Sequence, residues 1–213
     1  MFTGIIQAQG NIKEIRSSNK GAVFVLNSNS LDLSDVSIGD SIAVNGVCLT
    51  VTQLVDNSFS ADVSQETLNC STFSQLKKGQ NINLEKSLRL DQGIDGHLVS
   101  GHVDGVGKVI SIAIEGESTC MKIKVDDNLV KYIAKKGSIC INGVSLTVNE
   151  IDDNVFGVNI VPHTFSVTTL DELKVNSQVN LEIDIIARHI EQLLNHKTSA
   201  GIDKALLIKN GYL

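Results

Sequence analysis

The sequence predicts an all-β protein: two tandem antiparallel barrels of six strands each, followed by a C-terminal α-helix. Three observations carry this. The chain repeats itself at an offset of 97 residues across about 80 positions. Within each copy, short stretches alternate apolar and polar residues between turn-forming pairs. Past the second copy the apolar spacing becomes helical.

The repeat is read residue against residue. Gly4, Gly10 and Ser41 meet Gly101, Gly107 and Ser138. Asn45-Gly46-Val47-x-Leu49-Thr50-Val51 meets Asn142-Gly143-Val144-x-Leu146-Thr147-Val148. Asp56-Asn57-x-Phe59 meets Asp153-Asn154-x-Phe156, Thr67 meets Thr164, and Asn83-Leu84-Glu85 meets Asn180-Leu181-Glu182. So long a period marks a duplicated domain rather than a solenoid or propeller. The expected units are 1–97, 98–185 and a helix with tail at 186–213. A barrel of roughly 95 residues buries only a marginal core alone, so docking between halves or chains should add to it.

Strands are expected at 5–15, 22–28, 40–45, 48–55 and 58–64, repeated at 102–112, 119–125, 138–142, 145–151 and 155–161. A sixth strand per unit follows from Ile82 and Leu84 alternating with Asn81, Asn83 and Glu85, matched by Val179, Leu181 and Ile183 against Asn180, Glu182 and Asp184. Period 2 of this kind implies one buried face. Asn45-Gly46 and Asn142-Gly143 tolerate positive φ at both central positions and predict type I′ hairpins. Asp56-Asn57 and Asp153-Asn154 predict the next turns. Closing six strands into a barrel removes exposed sheet edges; a flat open sheet is the alternative. Short helices are expected near 66–77, 127–135 and 163–174. Ile186, Ile190, Leu193 and Leu194 fall at i, i+4, i+7 and i+8, which predicts an amphipathic helix over 186–196 outside the repeat. Its stripe can be covered by self-association about an axis or by its own chain. Ala205 to Ile208 suggest a further helical turn or two in the tail.

Bulk properties exclude several classes. The net charge is −6, without a Lys/Arg cluster, which disfavours nucleic-acid binding. No apolar run approaches the roughly 20 residues of a membrane span, and the opening Met1-Phe2-Thr3-Gly4 does not read as a secretory signal. The four cysteines lack metal-like spacing and do not match between repeats, so a reducing cytoplasm is the simplest setting. A single proline among 17 glycines fits short strands and tight turns.

Chemistry is sought where the copies differ. Ile5 faces His102, Cys48 faces Ser145, and Asp62 faces Asn159. If these segments line one pocket per barrel, the first holds a thiol and a carboxylate. The second holds a hydroxyl, an amide and a histidine. Two similar pockets with different side chains suit two identical ligands in different roles. An imidazole titrating near pH 6.5 suits general acid–base work, and His102 sits in Gly96-His97-Leu98-Val99-Ser100-Gly101-His102. Plainer readings stand beside these: a structural histidine, a small buried cysteine, and a Ser41 placed by turn chemistry after Gly39-Asp40. His97 and His102 lack an obvious third metal ligand, so no metal is expected. Neither a Ser-His-Asp order, a phosphate loop nor a dinucleotide fingerprint occurs.

Together, Met1-Phe2-Thr3-Gly4-Ile5, the doubled Asn-Gly-Val-x-Leu-Thr-Val, Gly96 to His102 and Val161-Pro162-His163-Thr164 resemble riboflavin synthase of the alpha-subunit type, from residue 1 to about 185. The resemblance implies two Greek-key barrels, a helix that assembles homotrimers, and active sites between the N-terminal barrel of one chain and the C-terminal barrel of its neighbour. It implies dismutation of two 6,7-dimethyl-8-ribityllumazine molecules by four-carbon transfer. The products are riboflavin and 5-amino-6-(D-ribitylamino)uracil, with no cofactor or metal. Ser41, Cys48 and His102 match the family's catalytic positions. Substrate contacts carry over to Gly4, Ile5 and Ile6, to Cys48, Leu49 and Thr50, and to Asp62, Val63, Ser64, Gln65, Glu66 and Thr67. In the second unit they carry over to Gly101, His102 and Val103, to Lys136, to Ser145, Leu146 and Thr147, and to Asn159, Ile160, Val161, Pro162, His163 and Thr164. The sequence leaves association with lumazine synthase open. The rival is a related non-catalytic lumazine or flavin binder of the optical-antenna type, expected to have lost the Gly-His-Leu-x-Ser-Gly-His segment and the Cys48-Leu49-Thr50 run, both of which this chain keeps.

Overall fold

A computed structural model of the chain describes residues 1–18, 20–197 and 208. The first unit contains β1 (Ala8–Ser18), β2 (Gly21–Asn27), β3 (Ser41–Val44), β4 (Val47–Val55), β5 (Ser58–Ser64) and β6 (Asn81–Lys86). Helix α1 (Gln65–Cys70) and a 3-10 turn at Thr72–Gln75 lie between β5 and β6. The second contains β7 (Gly105–Glu115), β8 (Ser118–Lys124), β9 (Ser138–Ile141), β10 (Val144–Asp152), β11 (Val155–Ile160) and β12 (Gln178–Ile183). It carries α2 (Asp127–Val130), α3 (Pro162–Val167) and a 3-10 turn at Thr169–Glu172, and α4 (Ile185–Lys197) follows.

Both sheets close, in the cyclic order β1-β2-β5-β4-β3-β6 and its repeat β7-β8-β11-β10-β9-β12. Hairpins join β1 to β2 and β3 to β4 to β5, and β6 returns between β3 and β1, which is Greek-key wiring. The expected Asn-Gly turns form: Asn45 and Gly46 have φ of 45° and 79°, Asn142 and Gly143 47° and 84°. Alternation sends Phe24, Phe59 and Ile82 into the first core and Met121, Ile123 and Phe156 into the second. Phe24 meets Phe73 edge to face at 5.2 Å.

Several expectations are corrected. The helices near 66–77 and 163–174 are each broken in two, at Ser71 and Thr168, whose backbones are extended (φ −135° and −128°). Each hydroxyl hydrogen-bonds the carbonyl four residues back and caps the next turn, as Ser71 does from Thr67 O to Phe73 N. The helix near 127–135 shortens to the single turn of α2. Strands expected from 5 and 102 begin at 8 and 105, because residues 4–7 and 101–104 serve another contact. The 205–207 part of the expected tail helix lies outside the described residues; Ile208 is helical. Finally, the polar faces of β6 and β12 are not wet.

That last difference locates the join between the barrels. Asn83 and Asn180 are 0 % and 1 % exposed and occupy equivalent places about a pseudo-two-fold axis. Asn83 Nδ2 donates to Asn142 O and its Oδ1 accepts from Thr169 N; Asn180 does the same with Asn45 O and Thr72 N. Each bond runs from one barrel to the other, at 2.7 to 2.9 Å. Asn83→Ala leaves a buried N–H and a buried carbonyl unpaired, at about 1–3 kcal/mol each. Chemical denaturation should show a loss of roughly 2–5 kcal/mol, whereas the exposed Asn69→Ala should be near neutral.

Candidate active site

The chain start and the segment between barrels meet on the same axis. Phe2 N donates to Val99 O at 2.7 Å and Val99 N to Phe2 O at 3.0 Å. This pair throws each following segment onto the opposite barrel. Ser145 N donates to Gly4 O, and Cys48 N donates to Gly101 O, both at 2.8 Å. The approach is so close that a Cβ on Gly4 would lie 2.6 Å from Ser145 Cβ, and one on Gly101 2.5 Å from Cys48 Cβ. Both glycines also have positive φ, 78° and 82°, so no other residue fits there without strain. Beyond them Ile6 packs on the second core and Val103 on the first.

The two pockets expected from the repeat are therefore regrouped. Cys48 belongs with the segment that carries His102, and Ser145 with the segment that carries Ile5, because the leading segments are exchanged. A cleft of about 220 Å³ shows the first grouping, with Val47, Cys48, Glu66, Thr67 and Cys70 on one side and Gly101, His102 and Val103 on the other.

Strand alternation decides what each predicted residue can offer. Ser41 and Thr50 are ladder partners, as are Ala43 and Cys48. Ile42 and Val44 point into the core, so Ser41, Cys48 and Thr50 share the outward face. Asp62 and Ser64 are exposed on neighbouring β5. Ser41 lies diagonally across the ladder from Cys48, roughly 7–8 Å away, and borders a separate recess with Gln7, Asp40 and Lys86. On the second barrel, Thr147 and Val161 are exposed and Ser145 and Asn159 half-buried on the equivalent face. The side chains of Leu49, Val63, Leu146 and Ile160 are core, leaving only their backbones for a ligand. Gln65 is exposed on α1, and Pro162 and His163 open α3, with Thr164 half-buried behind them. Lys136 is exposed at φ 66°, and its Nζ donates to Asn149 Oδ1 at 3.1 Å. Gly4 and Gly101 are buried and Ile5 and His102 exposed, so the exchanged segments present their second residues outward.

Two glutamates outside the expected site hold these segments. Glu182 Oε1 accepts from Ser100 N and Oγ, both at 2.6 Å, and Oε2 from Gly101 N at 2.9 Å. Glu85 accepts from Thr3 N and Oγ1 and from Gly4 N in the same pattern. Their signal was present in the repeated Asn-Leu-Glu, where polar residues matched as strictly as apolar ones. Burial pushes both carboxyls above the usual range, and the hydrogen bonds from the segments they clamp pull them part of the way back. Cys70, also absent from the expected site, lines the cleft; its hydrogen bond to Glu66 at 3.1 Å pushes the thiol up and keeps it protonated.

Comparison with known proteins gives the family of the chain. The Lumazine binding domain family matches residues 3–87 and again 100–184. A riboflavin synthase of Photobacterium phosphoreum is 46% identical over the whole of both chains. One from Bacillus subtilis (strain 168) is 37% identical, again over all of both. Among solved structures, LumP complexed with 6,7-dimethyl-8-(1'-D-ribityl) lumazine is 30% identical, with a TM-score of 0.76, covering 86% of this chain and 99% of that one.

A carboxyl whose folded pKa is raised favours folding fully below the ordinary carboxylate value and loses that contribution as pH rises through the raised one. Glu182→Gln removes one such group while keeping a carbonyl acceptor. Its unfolding free energy should therefore fall less steeply than the wild type's as pH rises above the ordinary carboxylate range. Equal slopes in denaturant titrations at several pH values would contradict this.

Proposed function

The chain belongs to the riboflavin synthase family, and from that premise we propose how its residues divide the work. It is an enzyme that dismutates two 6,7-dimethyl-8-ribityllumazine molecules into riboflavin and 5-amino-6-(D-ribitylamino)uracil by transfer of a four-carbon unit. The single observation that supports a working site in this chain is the cleft that joins Cys48 to His102 across the exchanged segments.

His102 is exposed at the rim of that cleft and is the proposed base for the C7 methyl of one lumazine, whose carbanion delocalises into the ring. Ser41, Cys48 or water adds to C7 of the other and makes it electrophilic. Thr50, Asp62 and Ser64 line the outward face along which a ribityl chain can lie, and the backbones of 48–50 and 145–147 meet the pyrimidine edges. Holding two flat rings in reacting order supplies the larger share, roughly 7–11 kcal/mol; acid–base help adds about 10²–10⁴-fold.

At about 220 Å³ the cleft is smaller than the roughly 300–1,000 Å³ of a complete small-molecule site. A neighbouring chain's C-terminal barrel, laid over the N-terminal one, completes it. Helix α4 supports such an assembly. Arg188 pairs with the buried Asp104, and Glu191 with Lys131 and Tyr132, so its polar face is fastened to its own barrel. Ile186, Ile190, Leu193 and Leu194 remain 51 to 65 % exposed. Three such stripes gathered on an axis form the proposed homotrimer. Among the described residues no helix is long and apolar enough to cross a membrane; the setting proposed for the chain is the cytoplasm.

Pure protein given 6,7-dimethyl-8-ribityllumazine alone should make yellow riboflavin without added cofactor. A tightly held fluorescent ligand with no turnover would favour the binder instead. His102→Ala should slow turnover by about 10²-fold or more while leaving lumazine binding within a few-fold; a loss of binding without a rate defect would remove the base. Replacing Ile190 and Leu194 together by Ser should leave the fold intact and give monomers in light scattering, with turnover lost.

A further inference from the structure

His97 is the one described residue with a buried side-chain polar atom lacking a partner. The residue is 9 % exposed, Nδ1 lies 2.7 Å from Ser145 Oγ, and Nε2 is buried and unpaired. The ring is anchored from behind by His97 N donating to Thr3 O at 3.1 Å. Gly96 brings the chain so close that a Cβ there would lie 3.0 Å from Ser145 Oγ. Burial holds the imidazole below its usual pKa, with Asp184 pulling weakly the other way, so it is neutral around pH 7.

A neutral ring carries one proton. An unpaired buried N–H is rarer and costlier than an unpaired acceptor, so the proton belongs on Nδ1, donated to Ser145 Oγ. The serine's own hydrogen is then free to point outward. Cys48, the residue in the matching place on the first barrel, has no imidazole hydrogen-bonded to it among the described residues; it lies against Gly101 and packs on the cluster of Phe2, Ala43, Val99 and Cys140. The two matched outward faces thus differ in what stands behind them as well as in front.

We propose that His97 is a positioning residue that fixes the Ser145 hydroxyl as a hydrogen-bond donor to the heterocycle bound on the second barrel. The two otherwise matching sites then hold their ligands by different hydrogen-bond patterns. This rests on the riboflavin synthase reading, and the test separates the two. Turnover of the lumazine by the wild type checks that reading. Riboflavin, which shares the pyrimidine edge and does not react alone, then serves as the equilibrium probe.

Ser145→Ala and His97→Leu should each weaken one class of riboflavin site by about 2- to 13-fold and leave the other class unchanged. The unchanged class also reports that the variant is folded. The double variant should bind no more weakly than Ser145→Ala alone, because His97 acts through the serine. His97→Asn, whose amide can place a donor where Nδ1 stood, should bind like the wild type. In the unmutated protein, ¹⁵N spectra of the imidazole should show the Nδ1-protonated tautomer, a readout that no variant's folding can spoil. Additive losses, equal weakening of both classes, or an Nε2-protonated ring would overturn the inference even with wild-type turnover intact.

Discussion

Two hydrogen bonds between Phe2 and Val99 hold the halves of the molecule in register on the axis that relates them. Everything at the site descends from that pairing. It sets the direction in which residues 3–6 and 100–103 leave the axis, and so which barrel each reaches. Glu85 and Glu182 fix the departing turns, Gly4 and Gly101 allow backbone contact, and Cys48 and Ser145 receive it. Asn83 and Asn180 add reciprocal hydrogen bonds from each barrel to the other. These are buried polar groups, and each is stabilising only while both barrels are present to satisfy it.

The barrels themselves were legible because their causes are local. Asn45-Gly46 and Asn142-Gly143 require positive φ wherever they stand, and alternation through 47–55 or 58–64 marks an inside and an outside without reference to the rest of the chain. The exchange of leading segments was not legible for a physical reason. Matching i with i+97 identifies equivalent residues, and a symmetric exchange preserves every such match. Whether Gly101 lies on its own barrel or on the other leaves the comparison unchanged. Burial of Asn83 and Glu85 was hidden in the same way, since alternation cannot distinguish a face turned to water from one turned to a second barrel. The break at Ser71 depended on one hydroxyl capping the following turn rather than continuing the helix.

The exchange alters the chemical reading of the site. Grouped by sequence, thiol and imidazole fall in separate pockets; grouped by contact, Cys48 and His102 face the same cleft. The side of the cleft that carries the imidazole is held by Glu182, a residue of the second barrel, so the first barrel's surface cannot be completed without the second. Stability and site geometry therefore rest on the same few buried bonds, and a variant of Glu85 or Glu182 acts on both at once.

Covalent duplication also resolves a problem that two like substrates pose. Two identical barrels paired about a true two-fold axis would present identical sites, and identical sites cannot assign one molecule as donor and the other as acceptor. Joining the barrels in one chain keeps the shared frame while each residue varies alone. Ile5 against His102, Cys48 against Ser145 and Asp62 against Asn159 are such departures, and all three lie on the outward faces or the exchanged segments. The axis residues did not diverge: Asn83 and Asn180, Glu85 and Glu182, Gly4 and Gly101 remain matched. Symmetry is kept where two halves must fit together, and it is broken where two identical molecules must be treated differently.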